Sequence, residues 1–182
     1  TDFAQVEADE QQVNLTRFSL FFPEKREFFL EGQGIFSFAD AGVLNWSGPP
    51  SDTPVLFFSR RIGLEGGNEV PIRAGGRVTG RAGPYSIGLL NIQTGDSASA
   101  DTLSTNFSVV RVKRDMLRRS NFGVIYTRRN RLTKGVGINQ VYGADLTFRF
   151  YENINFTNYY AQTHTPNLEG SNASYQSKFD YT

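Results

Sequence analysis

The sequence predicts an all-β protein: an antiparallel up-and-down barrel, or part of one, preceded by a short segment without strands. Three observations predict it. Residues 141–150 alternate strictly, with Tyr142, Ala144, Leu146, Phe148 and Phe150 apolar and Gly143, Asp145, Thr147 and Arg149 between them. That period of two belongs to a strand with one apolar and one polar face. Similar stretches recur through the last two-thirds of the chain, joined by connections that alternate between tight and long. Aromatic content is 14%, nearly all Phe and Tyr, and there are 18 glycines, a mix that favours strands over helices.

At 182 residues the chain is long enough to bury a sizeable core. Its net charge of +1 conceals an asymmetry: residues 1–70 carry eleven acids and five bases, and residues 71–182 carry seven acids and fourteen bases. Halves of −6 and +7 point to contact between them. The absence of cysteine excludes disulfides and Cys-based zinc sites. No apolar run approaches the roughly 20 residues of a membrane helix.

Residues 1–12 are acidic and polar, with Phe3 and Val6 as the only large apolar side chains. Glu7, Asp9 and Glu10 lack the spacing of a calcium loop. Residues 13–38 are crowded with phenylalanine, including Phe18, Phe21, Phe22, Phe28, Phe29, Phe36 and Phe38, which requires burial. Within them, Pro23 to Gly32 predicts a short helix: proline suits the first position, acids the first turn, and Gly32 the stop. Residues 39–53 carry loop chemistry in Gly42, Gly48, Pro49, Pro50 and Asp52, with Trp46 beside it as either an interfacial anchor or a packed core residue.

Strands are expected at 54–62, 70–82, 84–94, 105–115, 120–130, 140–151, 153–163 and 173–182. Gly83-Pro84, Met116 to Arg119 and Tyr151 to Asn153 form the tight connections, and Gly95 to Ser104, Arg131 to Asn139 and His164 to Asn172 the long ones. Short turns on one side and long loops on the other are the habit of outer-membrane barrels, as is a strand length of roughly 10–12 residues. Tyr85, Phe122, Phe150 and Tyr151 near the tight turns, and Phe107, Tyr142 and Tyr175 near the long loops, are placed as two aromatic girdles. Alternation alone does not separate a barrel from a soluble sandwich, because both have one apolar and one polar face.

Loop lengths and strand length favour the barrel, and several short blocks add to them. Asp2-Phe3-Ala4-Gln5-Val6-Glu7-Ala8-Asp9, Val13-Asn14-Leu15, Phe21-Phe22-Pro23-Glu24-Lys25-Arg26 and Phe28-Phe29-Leu30-Glu31-Gly32 occur in order at close spacing. Phe57-Phe58-Ser59-Arg60-Arg61-Ile62-Gly63 and Thr105-Asn106-Phe107-Ser108-Val109-Val110-Arg111 follow. Together they resemble a large family of bacterial outer-membrane proteins of unknown function, in which a barrel region often follows a family 9 carbohydrate-binding-like module. The resemblance extends over most of the chain and departs in two respects: the preceding module is absent, and the chain is short for the whole barrel region. It implies a transmembrane β-barrel in the bacterial outer membrane. Outer-membrane lipid and lipopolysaccharide are its implied partners, with other outer-membrane or periplasmic proteins beside them. It carries no catalytic residues, cofactor or metal.

In that barrel the polar faces line the lumen: Arg73, Arg77, Thr79 and Arg81; Thr127 and Arg129; Asp145, Thr147 and Arg149; Gln176, Lys178 and Asp180. A row of arginines on one strand repels itself and attracts anions. The acids Glu7, Asp9, Glu10, Glu24, Glu27 and Glu31 are expected to compensate it, with residues 1–38 entering or capping the barrel as a plug. The native barrel is expected to have more strands than this chain supplies.

No catalytic constellation emerges. His164 is the single histidine and no nucleophile elbow accompanies it. The glycines at 63–67 and 75–76 lack the Lys-Ser/Thr and helix of a phosphate loop. Lys113, Arg114, Arg118 and Arg119 gather at a tight turn without interleaved exposed aromatics, which argues against nucleic acid. The expected function is a non-enzymatic channel, uptake component or surface platform; the alternative is a soluble β-rich carbohydrate-binding module.

Overall fold

The computed structural model describes residues 24–39, 53–65, 67–98, 100–131, 137–151, 153–167, 170 and 172–181. Seven strands form one antiparallel meander in sequence order: β3 (Ile72–Ala82), β4 (Tyr85–Thr94), β5 (Thr105–Met116), β6 (Ser120–Arg131), β7 (Ile138–Phe150), β8 (Ile154–His164) and β9 (Ala173–Tyr181). A two-residue hairpin, β1 (Leu64–Glu65) with β2 (Asn68–Glu69), precedes them. Among the described residues the sheet is open, with β3 and β9 at its edges.

The expected strands from 70 onward are all present. Alternation fixed them because a strand with one covered face must repeat every second residue. The tight connections are those expected. Gly83-Pro84 joins the paired residues Ala82 and Tyr85, with Gly83 at φ 58°. Such a two-residue hairpin loop needs positive φ, which glycine adopts without strain.

The expected strand at 54–62 is not a strand. Residues 54–58 run without regular structure and Ser59–Arg61 form a 3-10 turn. The burial of Val55, Leu56, Phe57 and Phe58 does not alternate, and the segment lies against the sheet instead of within it, with Leu56 over Gly143 and Phe57 against Phe36. The expected helix shrinks to one turn, α1 (Glu27–Leu30), followed by a 3-10 turn at Gln33–Phe36. Gly32 ends α1 at φ 67°, as expected of a C-terminal glycine. Pro23, Trp46 and the aromatics before Phe28 lie outside the described residues.

These non-strand segments cover one face of the sheet. Directly paired residues share a face, so the register sorts the side chains. Ser86, Gly88, Leu90, Ile92 and Thr94 of β4 are all buried, and so are Val109 and Arg111 of β5, Gly123 and Ile125 of β6, Gly143 and Asp145 of β7, and Thr157, Tyr159 and Ala161 of β8. Phe29, Phe36, Phe38 and Ile62 of the covering segments complete this core. Phe38 meets Tyr159 edge to face at 5.6 Å, and Phe36 packs on Phe57 at 5.5 Å.

Two glycines admit the covering layer. A Cβ on Gly88 would lie 2.9 Å from the Phe36 ring, and one on Gly143 would lie 2.7–2.8 Å from Leu56, Ile125 and Phe38. No side chain fits between sheet and segment at either place.

Candidate functional site

The covered face holds the charged groups that residue chemistry would select. At one end of the covering layer, the Glu24 carboxylate accepts hydrogen bonds from Arg26 Nε and Nη2, both at 2.8 Å, and from Ser59 Oγ at 2.6 Å. Arg26 also donates to the carbonyls of Ser59 and Ile62 at 2.8 Å, and its guanidinium stacks over Phe29 at 4.1 Å. Burial alone would raise the Glu24 pKa, but the hydrogen bonds from Arg26 and Ser59 and the Arg26 charge outweigh it. The carboxyl is held below its usual value. This knot ties α1 to residues 59–62, two stretches more than thirty residues apart.

The sheet reaches up to the same layer. Arg77 of β3 donates to the backbone carbonyls of Phe28 and Glu31 and pairs with the Glu31 carboxylate. Lys113 of β5 donates to Ser37 Oγ at 2.8 Å and to the Gly34 carbonyl at 3.3 Å. Arg131 of β6 pairs with Glu65 at 2.8 Å. Gly32, whose Cβ would meet Thr79 Oγ1 at 3.0 Å, lets α1 end close against β3. Strand cations thus meet acids and carbonyls of the segment before the sheet, as the opposed charges of the two halves imply.

At the centre lies an ion pair that sequence reasoning missed. Arg111 of β5 donates to both carboxylate oxygens of Asp145 on β7, at 2.5 and 2.9 Å, and both side chains are almost wholly buried. Between them on β6 is Gly123, whose Cβ would lie 2.6–2.8 Å from the guanidinium. The Phe38 ring sits 5.9 Å from Arg111 Cζ. Asp145 falls on the polar face expected of its strand, whereas Arg111 stands out in the sequence only as a basic residue of the Thr105–Arg111 block. The available signal was a glycine inside an otherwise regular strand.

The register puts Arg77, Thr79, Arg81, Thr127, Arg129, Asp145, Thr147, Arg149, Gln176, Lys178 and Asp180 on the covered face. Arg73 is the exception. A bulge between Ile72 and Ala74 takes it out of register, and it reaches exposed Asp96 at 3.7 Å. The row of three evenly spaced arginines on β3 is therefore a row of two, because an inserted residue resets the alternation. Of the expected plug acids, Glu31 meets Arg77, Glu24 is spent on Arg26 within its own segment, and Glu27 is exposed. Glu7, Asp9 and Glu10 lie outside the described residues. Phe107, expected in a girdle near the long loops, pairs with Ile92 on the covered face. Lys113 and Arg114 point to opposite faces, Arg114 lying 5.6 Å from the Tyr85 ring, so they form no joint basic patch.

Among the described residues, a cavity of about 60 Å³ remains between layer and sheet, lined by Phe29, Phe36, Phe57, Arg77 and Leu90 among others. A wider and more open hollow lies beside α1, lined by Glu27, Phe28, Leu30, Glu31 and Arg77.

The sequence profile of the domain of unknown function DUF5916 matches residues 1–92, just over half of the chain. The chain belongs to this family. The DUF5916 match covers the N-terminal segment, the β1–β2 hairpin, β3 and most of β4. It therefore takes in the residues that cover the sheet and the first strands that receive them. No curated protein and no solved structure matches the chain.

Proposed function

We propose that this chain forms wall and inner layer of a bacterial outer-membrane β-barrel. Strands β3–β9 are wall, and residues 24–39 and 53–62 are seated inside it. The role is that of a channel, uptake component or surface platform, without chemistry of its own.

One observation carries this reading: the sheet is inside out for a protein in water. The uncovered face exposes large apolar side chains from all seven strands, among them Val78, Leu89, Val110, Val124, Tyr142, Tyr160 and Phe179. The covered face buries Arg111, Asp145, Ser86, Thr94, Thr105 and Thr157. Monomeric proteins in water rarely expose apolar area continuous over a whole sheet, whereas a barrel wall in lipid requires it. Along β7 the apolar series from Tyr142 to Phe150 covers eight steps, about 26 Å at a 3.3 Å rise. At a tilt near 40° that is about 20 Å of membrane normal, comparable with the ~25 Å apolar band of such barrels.

The polar boundary of the band supports the same reading. One register row beyond it on the outer face stand Asn91, Ser108, Arg128, Gln140 and His164. Tyr142 and Tyr160 aim their hydroxyls at Gln140 and Gln162, 2.7 and 3.3 Å away, while Tyr126 and Tyr142 pack at 5.2 Å. Tyrosines with ring in the apolar zone and hydroxyl towards the polar one make an interfacial belt. The resemblance to outer-membrane proteins that carry a family 9 carbohydrate-binding-like module supplies the location and the expected partners, outer-membrane lipid and lipopolysaccharide.

Single cysteines at 145, 146, 147 and 148 test the reading in membranes. Leu146→Cys and Phe148→Cys are expected to react with a lipid-soluble thiol reagent and resist a water-soluble one; Thr147→Cys is expected to show no such lipid preference. Ready water-reagent labelling of 146 and 148, at least equal to that of 147, returns the chain to the soluble carbohydrate-binding class.

A further inference from the structure

We infer that the gap between the β3 and β9 edges is filled by an odd number of antiparallel strands, at least three, drawn from outside the described residues. This rests on the barrel reading above and adds what the wall must join.

The first argument is direction. Each antiparallel pairing reverses the chain, and six pairings separate β3 from β9. The two edges therefore run the same way. Joining them directly makes a parallel seam in an otherwise antiparallel wall. A second copy does not solve this. Two copies inserted in the same sense bring β9 of one against β3 of the other, again parallel. An odd number of intervening strands restores antiparallel pairing at both seams.

The second argument is room. One added strand gives eight, and the interior of an eight-stranded barrel is only wide enough for its own side chains. Here the covered face already carries a further layer of main chain, with Phe36 and Phe38 seated directly over Gly88 and Gly143. Eight strands leave no space for that backbone. The next odd increment is three.

The third argument is continuity. The apolar outer band does not fade at the edges. Val78 on β3 and Tyr175, Phe179 and Tyr181 on β9 are among the most exposed apolar side chains of the sheet. The same is true of the inner polar pattern, with Arg77 and Thr79 at one edge and Gln176 and Lys178 at the other. The occupant is a stretch of barrel wall carrying this sheet's own alternation, apolar outward and polar inward.

Spin labels test this on the protein in its native membrane. Val78→Cys is combined in turn with Tyr175→Cys, Ser177→Cys and Phe179→Cys, and backbone amide exchange is followed on the same preparation. A direct seam brings the closest pair to about 5 Å, a single strand to about 10 Å and two strands to about 15 Å along the wall, from a strand spacing near 4.8 Å. Three strands make four spacings and put every pair at about 19 Å or beyond. The expected result is long distances together with slow exchange of the β3 and β9 amides that point away from β4 and β8. A closest pair at about 5, 10 or 15 Å overturns the inference, as does fast exchange at both edges. Close approach between differently labelled copies overturns it in favour of a second copy. Leu146→Cys separates these failures from failure of the barrel reading: lipid-only labelling there with short edge distances sinks the closure alone, whereas water labelling sinks the barrel.

Discussion

Arg111 and Asp145 stand two strands apart and meet through both ends of the guanidinium across the bare backbone of Gly123. The pair neutralises two charges that the covered face would otherwise hold alone. Losing one partner strands the other in a dry interior, at a cost of about 3–5 kcal/mol, whereas replacing both by apolar groups of similar volume is often near neutral. Asp145→Ala is therefore expected to destabilise far more than Arg111→Met combined with Asp145→Leu. Urea midpoints of the folded band in detergent check it; equal losses for the single and the double variant count against a purely structural pair.

The two classes of glycine in the sheet give opposite expectations. Gly143→Ala drives a methyl group into Leu56, Ile125 and Phe38 and is expected to cost about 1–3 kcal/mol. Gly76→Ala meets nothing within 4 Å and is expected to be neutral or to stabilise by about 0.4–1 kcal/mol through the unfolded chain. Thermal unfolding of the two variants side by side reads the difference.

On the outer face, Leu146→Arg is expected to cost about 2–4 kcal/mol when the protein is folded into a bilayer, the penalty for a cation at mid-membrane depth. Thr147→Arg, one residue along and on the other face, avoids that penalty. Refolding titrations into lipid vesicles measure both, and equal costs contradict the assignment of faces.

Glu24 sets an acid limit for the covering layer. Its folded pKa lies below the usual 4.5, so the protonated form is favoured by the unfolded segment. The stabilisation is complete above about pH 4.5 and is lost as pH falls through the lowered folded value. Amide protection at Phe29 and Ile62, corrected for intrinsic exchange, should hold from neutrality to that point and collapse below it. Glu24→Gln should show weaker protection throughout and no acid step; an unchanged acid step assigns the transition to another group.

Removing residues 24–39 is expected to raise single-channel conductance in planar bilayers and shift selectivity towards anions. Arg77 and Lys113 then lose Glu31, Ser37 and the carbonyls they hold. Unchanged conductance and selectivity place the segment outside the conducting path.

The seven strands of the sheet were legible because a covered face imposes period two on each of them independently. The covering layer was less so. Residues 54–62 are rich in apolar side chains yet contact their neighbours irregularly, and no period separates such a stretch from a strand of mixed burial. The bulge that removes Arg73 from its row leaves no mark in the sequence beyond the nearby Gly75-Gly76. The Arg111–Asp145 pair depends on the register of two successive hairpins, which alternation does not specify. The charge asymmetry did point to the Arg77–Glu31 and Arg131–Glu65 contacts, although not to Glu24 being consumed within its own segment.

The order of these pieces along the chain bears on how the protein is assembled. Residues 24–39 and 53–62, which pack under Leu90, Val109, Ile125 and Tyr159, leave the ribosome before any strand of the sheet. Some of their partners follow early, as Arg77 of β3 does for Glu31, and others only on β8, as Tyr159 does for Phe38. Contacts so distant in sequence are slow to form. The covering segments are thus made first and are completed only when the later strands pack onto them. Refolding in vitro is expected to be slowest at the step that brings β8 onto Phe38.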